Sequence, residues 1–247
     1  MQTSQDWIEH FRENALQDRV NWAQRPTITA EELAVILPSL QAWQLGETSD
    51  GRNLIRASMK YAETIDDVNY VEAVRYFIRE EQKHGNNLGR YLDEIGQPRI
   101  QKNWGDTLFR KVRYFNSSME MWTLAVIVVE STAQIFYHAL YEATKCPLLR
   151  EICTDILIDE VHHITFQIDR LGTIFNQKSE LGKSVRRRAY YIFFYAVSCL
   201  VWSAHHRLFK AGGHTFSSYI LRMRKKYYRT IDQITNTYVP LTNLAGM

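Results

Sequence analysis

The chain has few residues that would cross-link or interrupt it. Its three cysteines, Cys146, Cys153 and Cys199, form no CxxC pair and cannot build a disulfide framework. A thiolate-bound iron or zinc site is therefore not expected. Only 5 prolines and 11 glycines occur in 247 residues, which leaves little material for turns. Long helices are expected instead.

Long apolar runs are also missing. The most apolar stretch, residues 189–204, includes two serines and is shorter than the roughly 18 to 20 residues that cross a bilayer. The first 20 residues lack the apolar segment of a secretory signal. We therefore expect residues 189–204 to be buried in the fold and the protein to be cytoplasmic.

Acidic residues are absent from one region of the chain. Residues 181–230 contain 11 Lys or Arg and no Asp or Glu, so the rest of the chain carries −8 of a total net charge of +3. This division favours an acidic partner or an anionic membrane surface. A basic pair of helices packed on the acidic body of the same chain would explain it equally well.

The distribution of turn residues and apolar periodicity predicts one all-α domain over residues 1–247. The predicted helices cover residues 5–22, 33–61, 68–94, 117–143, 147–175, 181–208 and 216–234. Thr29 and Glu32 form a capping-box pattern, and Pro38 is expected to break or kink the following helix. The long segment 97–116 would be the single crossover of a four-helix bundle. That bundle would occupy residues 33–176, with 5–22 and 181–234 as additions at either end.

Two ExxH motifs are the main candidates for functional residues in the sequence. Glu81 and His84 lie in one predicted helix, and Glu160 and His163 lie in another. A spacing of three places each pair on one helical face. Carboxylate and imidazole on a shared face are the side chains of a metal site built between helices.

Two further glutamates, Glu47 and Glu130, lie on apolar stripes of predicted helices and therefore point inward. Those stripes offer no Lys or Arg as a partner. An unpaired buried carboxylate is costly, so a bound cation is expected to compensate.

Chain lengths give an independent check on this grouping. The midpoint between Glu47 and Glu81 falls in the predicted turn that joins their helices, and the same is true of Glu130 and Glu160. Each glutamate is then about 15 to 17 residues from the turn, which is about 23 to 26 Å along a helix. All four glutamates would lie at one depth in the bundle.

This pattern resembles the ligand set of ferritin-like di-iron carboxylate proteins over residues 33–176. Locally, the sequence EEQKHG at residues 80–85 is similar to the EENRHG motif of soluble acyl-carrier-protein desaturases. The sequence DEVHH at residues 159–163 is similar to the DEKRH of those enzymes and the DEAHH of alternative oxidases.

The resemblance implies two iron ions, with manganese or mixed Mn/Fe occupancy left open. The implied ligands of the first ion are Glu47, Glu81 and His84, and those of the second are Glu130, Glu160 and His163. Glu81 and Glu160 would bridge the ions. Glu80 and Asp159 would accept hydrogen bonds from the ligand histidines of the opposite motif.

The resemblance further implies an oxidoreductase that uses O2, of the oxygenase, desaturase or N-oxygenase type, with an unidentified small or carrier-bound substrate. The extra helices at both ends favour a closed substrate pocket over a storage cage. An electron donor or an acidic carrier protein would dock on the basic C-terminal region. Two alternatives stay open: a ferroxidase or oxidative-stress protein without organic substrate, and a quinol oxidase-like peripheral membrane protein with residues 189–204 on the bilayer. No nucleic-acid partner is expected, and a homodimer is left open.

Overall fold

The computed structural model describes residues 2–104 and 118–237. Within these ranges it has eight helices and no strand. The helices are α1 (Ser4–Asn14), α2 (Ala30–Glu47), α3 (Arg52–Ile65), α4 (Asn69–Glu94), α5 (Met119–Ala143), α6 (Pro147–Asn176), α7 (Glu180–Ala211) and α8 (Phe216–Thr235). The predicted all-α fold class is confirmed.

Four of these helices form the central bundle as two antiparallel pairs, α2 with α4 and α5 with α6. The Gln44 side chain of α2 donates to the carbonyl of Gly85 in α4, at 3.3 Å. A Cβ at Gly85 would lie 2.8 Å from the Thr48 side chain, so glycine permits this close approach. The close contact lies directly beside Glu47 and His84.

The other helices cover the bundle. α1 lies on α4, and α7 and α8 pack on α5 and α6. At the start of α7, Arg186 binds the carboxylate of Glu120 at 2.7 Å, and the Tyr190 hydroxyl donates to the same carboxylate at 2.7 Å. The larger apolar cluster joins α5, α6, α7 and α8 to the core-facing sides of α2 and α4. The second joins α1, α3 and α4 to parts of α5 and α6.

The N-terminal helix is shorter than predicted. It ends at Asn14, not at residue 22, and no helix forms between residues 15 and 29. Leu16 is exposed, whereas the Arg19 side chain bonds to buried carboxylates of α6. Those bonds tie the segment after α1 to α6.

The predicted helix 33–61 is two helices, because the chain breaks between α2 and α3. Gly51 has φ 63°, in the left-handed region, and a Cβ there would lie 2.5 Å from the Ile78 side chain. The Asp-Gly dipeptide at this point is a turn signal that the surrounding helical period concealed.

The start of α2 agrees with its cap pattern. Thr29 accepts a hydrogen bond from the backbone of Glu32 at 3.2 Å, and Glu32 accepts one from the backbone of Thr29 at 3.0 Å. Pro38 lies inside α2 and does not break it, so of the two predicted effects, a break or a kink, the break does not occur. The helix continues despite the loss of one backbone donor.

The remaining predicted helices agree with the observed ones to within three residues at each end. Of the predicted crossover 97–116, residues 105–116 lie outside the described residues. α5 is long and apolar enough to cross a membrane by length and composition alone. However, 83% of its most apolar window is buried in the bundle, so core packing accounts for its composition.

Candidate metal centre

The two ExxH motifs meet between α4 and α6. One ligand atom each from Glu81, His84, Glu160 and His163 lies within 4.8 Å of all the others. His84, Glu160 and His163 have no exposed surface, and the Glu81 side chain is 18% exposed. Motif spacing and helix pairing therefore produce one compact cluster.

Both histidines turn Nδ1 toward this cluster. Nδ1 of His163 is 2.8 Å from Oε1 of Glu81, and Nδ1 of His84 is 3.9 Å from the same oxygen. Nε2 of each ring points outward, to Oδ2 of Asp159 at 2.9 Å from His84 and to Oε2 of Glu80 at 2.7 Å from His163. Glu81 thus lies between the two rings, where a bridging carboxylate would lie. Each histidine pairs with the carboxylate of the opposite motif.

Glu47 joins the cluster from the last turn of α2. Its Oε1 accepts hydrogen bonds from the Trp43 indole at 2.8 Å and from the Tyr137 hydroxyl at 2.7 Å. Burial, followed by the neighbouring charge of Glu81, raises the pKa of Glu47 to about 8. The Glu47 and Glu81 carboxylates therefore act on each other electrostatically.

The remaining glutamate, Glu130, is a buried residue of α5. It is 3% exposed and lies beside Glu160. Burial first, and then the charges of Glu130 and Glu81, raise the pKa of Glu160 well above its usual range. The Glu130 and Glu160 carboxylates therefore act on each other inside the bundle. The compact cluster within 4.8 Å includes Glu81 and Glu160 but neither Glu47 nor Glu130, so the common depth of all four glutamates stays a prediction.

Several inward-facing atoms of the cluster have no hydrogen-bond partner among the described residues. They are Oε1 of Glu81, both carboxylate oxygens of Glu160, and Nδ1 of both His84 and His163. The 2.8 Å contact between Glu81 and His163 is not aligned as a hydrogen bond. Buried polar atoms in native proteins nearly always have partners, so these atoms fit the ligands of a bound cation. Carboxylate oxygen with imidazole nitrogen suits iron and manganese.

The carboxylates of Glu80 and Asp159, called the outer carboxylates below, influence the charge of the two histidine rings. Burial opposes a charged imidazole, but Glu81 and Glu80 outweigh it and raise the pKa of His163 well above its usual value. Burial likewise opposes charge on His84, and the bond to Asp159 raises the pKa of that ring. Against their own burial, the histidine bonds lower the pKa of Glu80 and of Asp159. Both carboxylates are therefore ionised and can orient the rings.

Sequence reasoning missed several residues around this centre. Lys83 lies 3.2 Å from Asp155 and 3.4 Å from Asp159, so it balances two buried carboxylates. Asp155 precedes Asp159 by one helical turn, a spacing that could have indicated a shared face. No sequence signal connects Tyr137 to Glu47, because the contact depends on how α2 packs on α5.

A cavity of about 180 Å³ lies against Glu47 and Glu81. Most of its wall is apolar and includes Trp43, Phe77, Trp122, Ala125, Val126, Leu200 and Val201. Polar side chains from the break between α2 and α3 also line it, namely Ser49, Asp50, Arg52 and Asn53. The break that the sequence did not predict therefore supplies part of the polar wall of the cavity.

Three comparisons place this fold among known proteins. No family model matches the chain, and a search of curated proteins finds no match. The solved structures that match include variants of R2-like ligand-binding oxidases with a reconstituted Mn/Fe cofactor. One, reconstituted anaerobically, has a TM-score of 0.71 at 17% identity, covering 95% of this chain and 94% of that chain. Another, reconstituted aerobically, has a TM-score of 0.69 at 15% identity with the same coverage.

These likenesses define the class of fold. The chain has the all-α, ferritin-like fold. More particularly, it is similar to the R2-like ligand-binding oxidases over nearly the whole length of both chains. The resemblance inferred from the two ExxH motifs is confirmed at the level of the fold.

Proposed function

We propose that this protein is an oxygen-dependent oxidoreductase that holds two metal ions and oxidises an apolar organic substrate. The observation that carries the proposal is the juxtaposition of a buried carboxylate–histidine cluster with an apolar cavity. The fold that the chain shares with R2-like ligand-binding oxidases, whose structures carry a Mn/Fe cofactor, supports it. The metals we propose are two irons, or one manganese and one iron.

The proposed ligands are the six residues of the motif analysis: Glu47, Glu81, His84, Glu130, Glu160 and His163. Four carboxylates carry four negative charges, which two divalent ions balance with both imidazoles neutral. When bound, such ions supply the electron transfers by which dioxygen is reduced and a substrate oxidised. The Trp43 and Tyr137 donors fix Glu47 at the boundary between the cluster and the cavity.

The cavity favours an enzyme over an iron-storage protein. Its wall is mostly apolar and it touches two of the proposed ligands, Glu47 and Glu81. A substrate in this space would lie directly beside the proposed metal ligands. A protein that only oxidises ferrous ion has no use for such a space.

The experiment compares Glu160→Ala with Glu142→Ala, an exposed glutamate of α5. The wild-type protein and the control are expected to hold two metals per chain and to consume O2 when reduced. Glu160→Ala is expected to lose both properties while keeping its helical circular dichroism. Metal analysis and an oxygen electrode measure this.

Retention of two metals by Glu160→Ala would remove Glu160 from the site. Loading of many irons per chain in a cage-like oligomer would support the ferroxidase alternative and contradict an oxidase. A requirement for detergent would instead support the peripheral quinol oxidase.

We also propose that an acidic protein, an electron donor or a substrate carrier, docks on the outer face of α7 and α8. Of the 11 basic residues between 181 and 230, Arg186 pairs with Glu120 and Lys183 with Glu180; the others form no ion pair within the described ranges. Arg188 and Arg224 are exposed. The apolar side chains of Ile192 and Tyr195 are exposed as well, so the stretch 189–204 is buried only in part, contrary to the expectation from the sequence. The charge of the basic residues is thus mostly free for a partner, and not used against the body of the chain.

A further inference from the structure

Asn14, the last residue of α1, lies outside the central bundle but is buried against it. Its side-chain amide donates to Oδ1 of Asp159 at 2.8 Å and to Oε1 of Glu80 through a short hydrogen bond. One NH2 group thus uses both of its protons on two carboxylates from different helices, α4 and α6.

Those carboxylates are the ones that hold the two histidines. Asp159 uses Oδ2 for His84 and leaves Oδ1 for Asn14. Glu80 uses Oε2 for His163 and leaves Oε1 for Asn14. The result is one unbroken chain of hydrogen bonds from one histidine to the other, with Asn14 at its centre.

Arg19 fixes the orientation of this amide. Its guanidinium donates to Oδ1 of Asn14 through a short hydrogen bond, so the NH2 group must face the carboxylates. The same guanidinium binds Asp159 at 3.0 Å and Asp155 at 2.8 Å. With Lys83 it supplies two positive charges for two buried carboxylates. The amide itself links the two carboxylates without adding charge.

We propose that Asn14 and Arg19 are positioning residues for both metal positions, so that the N-terminal segment sets how tightly the centre binds its ions. The proposal rests on the metal-binding part of the proposed function. A histidine whose outer nitrogen is held by an oriented carboxylate presents its inner nitrogen in one direction and one tautomer. Asn14 extends this control to the two rings together, because a shift of its amide moves both carboxylates.

The test titrates metal-free protein with Co²⁺ and follows visible absorption and heat of binding. Loss of such outer partners typically weakens metal affinity about 10-fold to 100-fold. Asn14→Ala is expected to weaken Co²⁺ binding by about 10-fold or more and to change the absorption spectrum. Arg19→Met is expected to act in the same direction. Asn86→Ala and Arg75→Met, both exposed on α4, are the matched controls and are expected to bind as wild type does.

Thermal unfolding of the metal-free variants separates positioning from general support of the fold. A folded Asn14→Ala variant with wild-type Co²⁺ affinity and spectrum would overturn the role of Asn14 and leave the proposed function intact. If Asn14→Ala does not fold, Asn14→Gln is the variant to measure, because its longer amide cannot reach both carboxylates unchanged. Folded Asn14→Gln must then bind Co²⁺ more weakly than wild type does. Wild-type affinity in Asn14→Gln would equally overturn the role of Asn14. A wild-type protein that binds no Co²⁺ would instead refute the metal centre.

Discussion

The metal-free protein should become more stable when one of the proposed ligands loses its charge. The Glu47 carboxyl is buried beside Glu81, and these surroundings raise its pKa from 4.5 to about 8. The unfolded chain releases this proton near pH 4.5, whereas the folded chain keeps it until about pH 8. Between those values the unfolded state binds fewer protons, so stability falls as pH rises.

The size of the effect follows from the same shift. A change of one pKa unit corresponds to 1.36 kcal/mol, so the full cost above pH 8 is at most about 5 kcal/mol. Glu47→Gln removes the titration and keeps an oxygen that can accept from Trp43 and Tyr137. Its advantage over wild type should grow by about 3 to 4 kcal/mol from pH 5 to pH 8. At about 2 to 4 °C per kcal/mol for a chain of this size, the melting temperature should rise by about 10 °C relative to wild type.

The assay is thermal and urea unfolding in the presence of a chelator at pH 5 and pH 8. Glu142→Gln, an exposed substitution, should show no comparable pH-dependent gain. The reasoning is refuted if Glu47→Gln and wild type keep the same stability difference at both pH values. With metals bound the order should reverse, because the variant loses a ligand.

Two further predictions concern the cavity and the basic face. Ala125→Phe fills the cavity beside the cluster. It should abolish the fluorescence of 8-anilino-1-naphthalenesulfonate bound there and leave two metals per chain. Unchanged probe binding would place the ligand site elsewhere. Arg188→Glu with Arg224→Glu should weaken the binding of a plant-type ferredoxin or of acyl carrier protein, whichever the wild type binds, at low salt. A double variant that binds the same partner as tightly as wild type, measured by calorimetry, would exclude this face.

Much of the fold and of the candidate site could be predicted because the determinants are local. The ExxH spacing fixes which side chains share a face, and the apolar stripes around Glu47 and Glu130 fix which way those residues point. The hydrogen bonds of Glu80 and Asp159 to the two histidines were implied by the family resemblance, and the structure contains both.

What the sequence could not predict depends on contacts between distant segments. The helix breaks at Gly51 because this residue packs against Ile78 and adopts a left-handed turn. The helical period on both sides of Gly51 conceals this break in the sequence. The end of α1 at Asn14 follows from polar bonds to α4 and α6, which no periodicity records. Tertiary hydrogen bonds of this kind override local helical preference.

The most direct test of the metal centre is anomalous X-ray diffraction at the manganese and iron absorption edges. Crystals should be grown from protein purified without added metal or chelator. Two anomalous peaks per chain are expected, both bounded by the carboxylates of Glu81 and Glu160 and each next to Nδ1 of one histidine, His84 or His163. Crystals of metal-replete protein with no peak there, or with metal bound only elsewhere, would contradict this expectation.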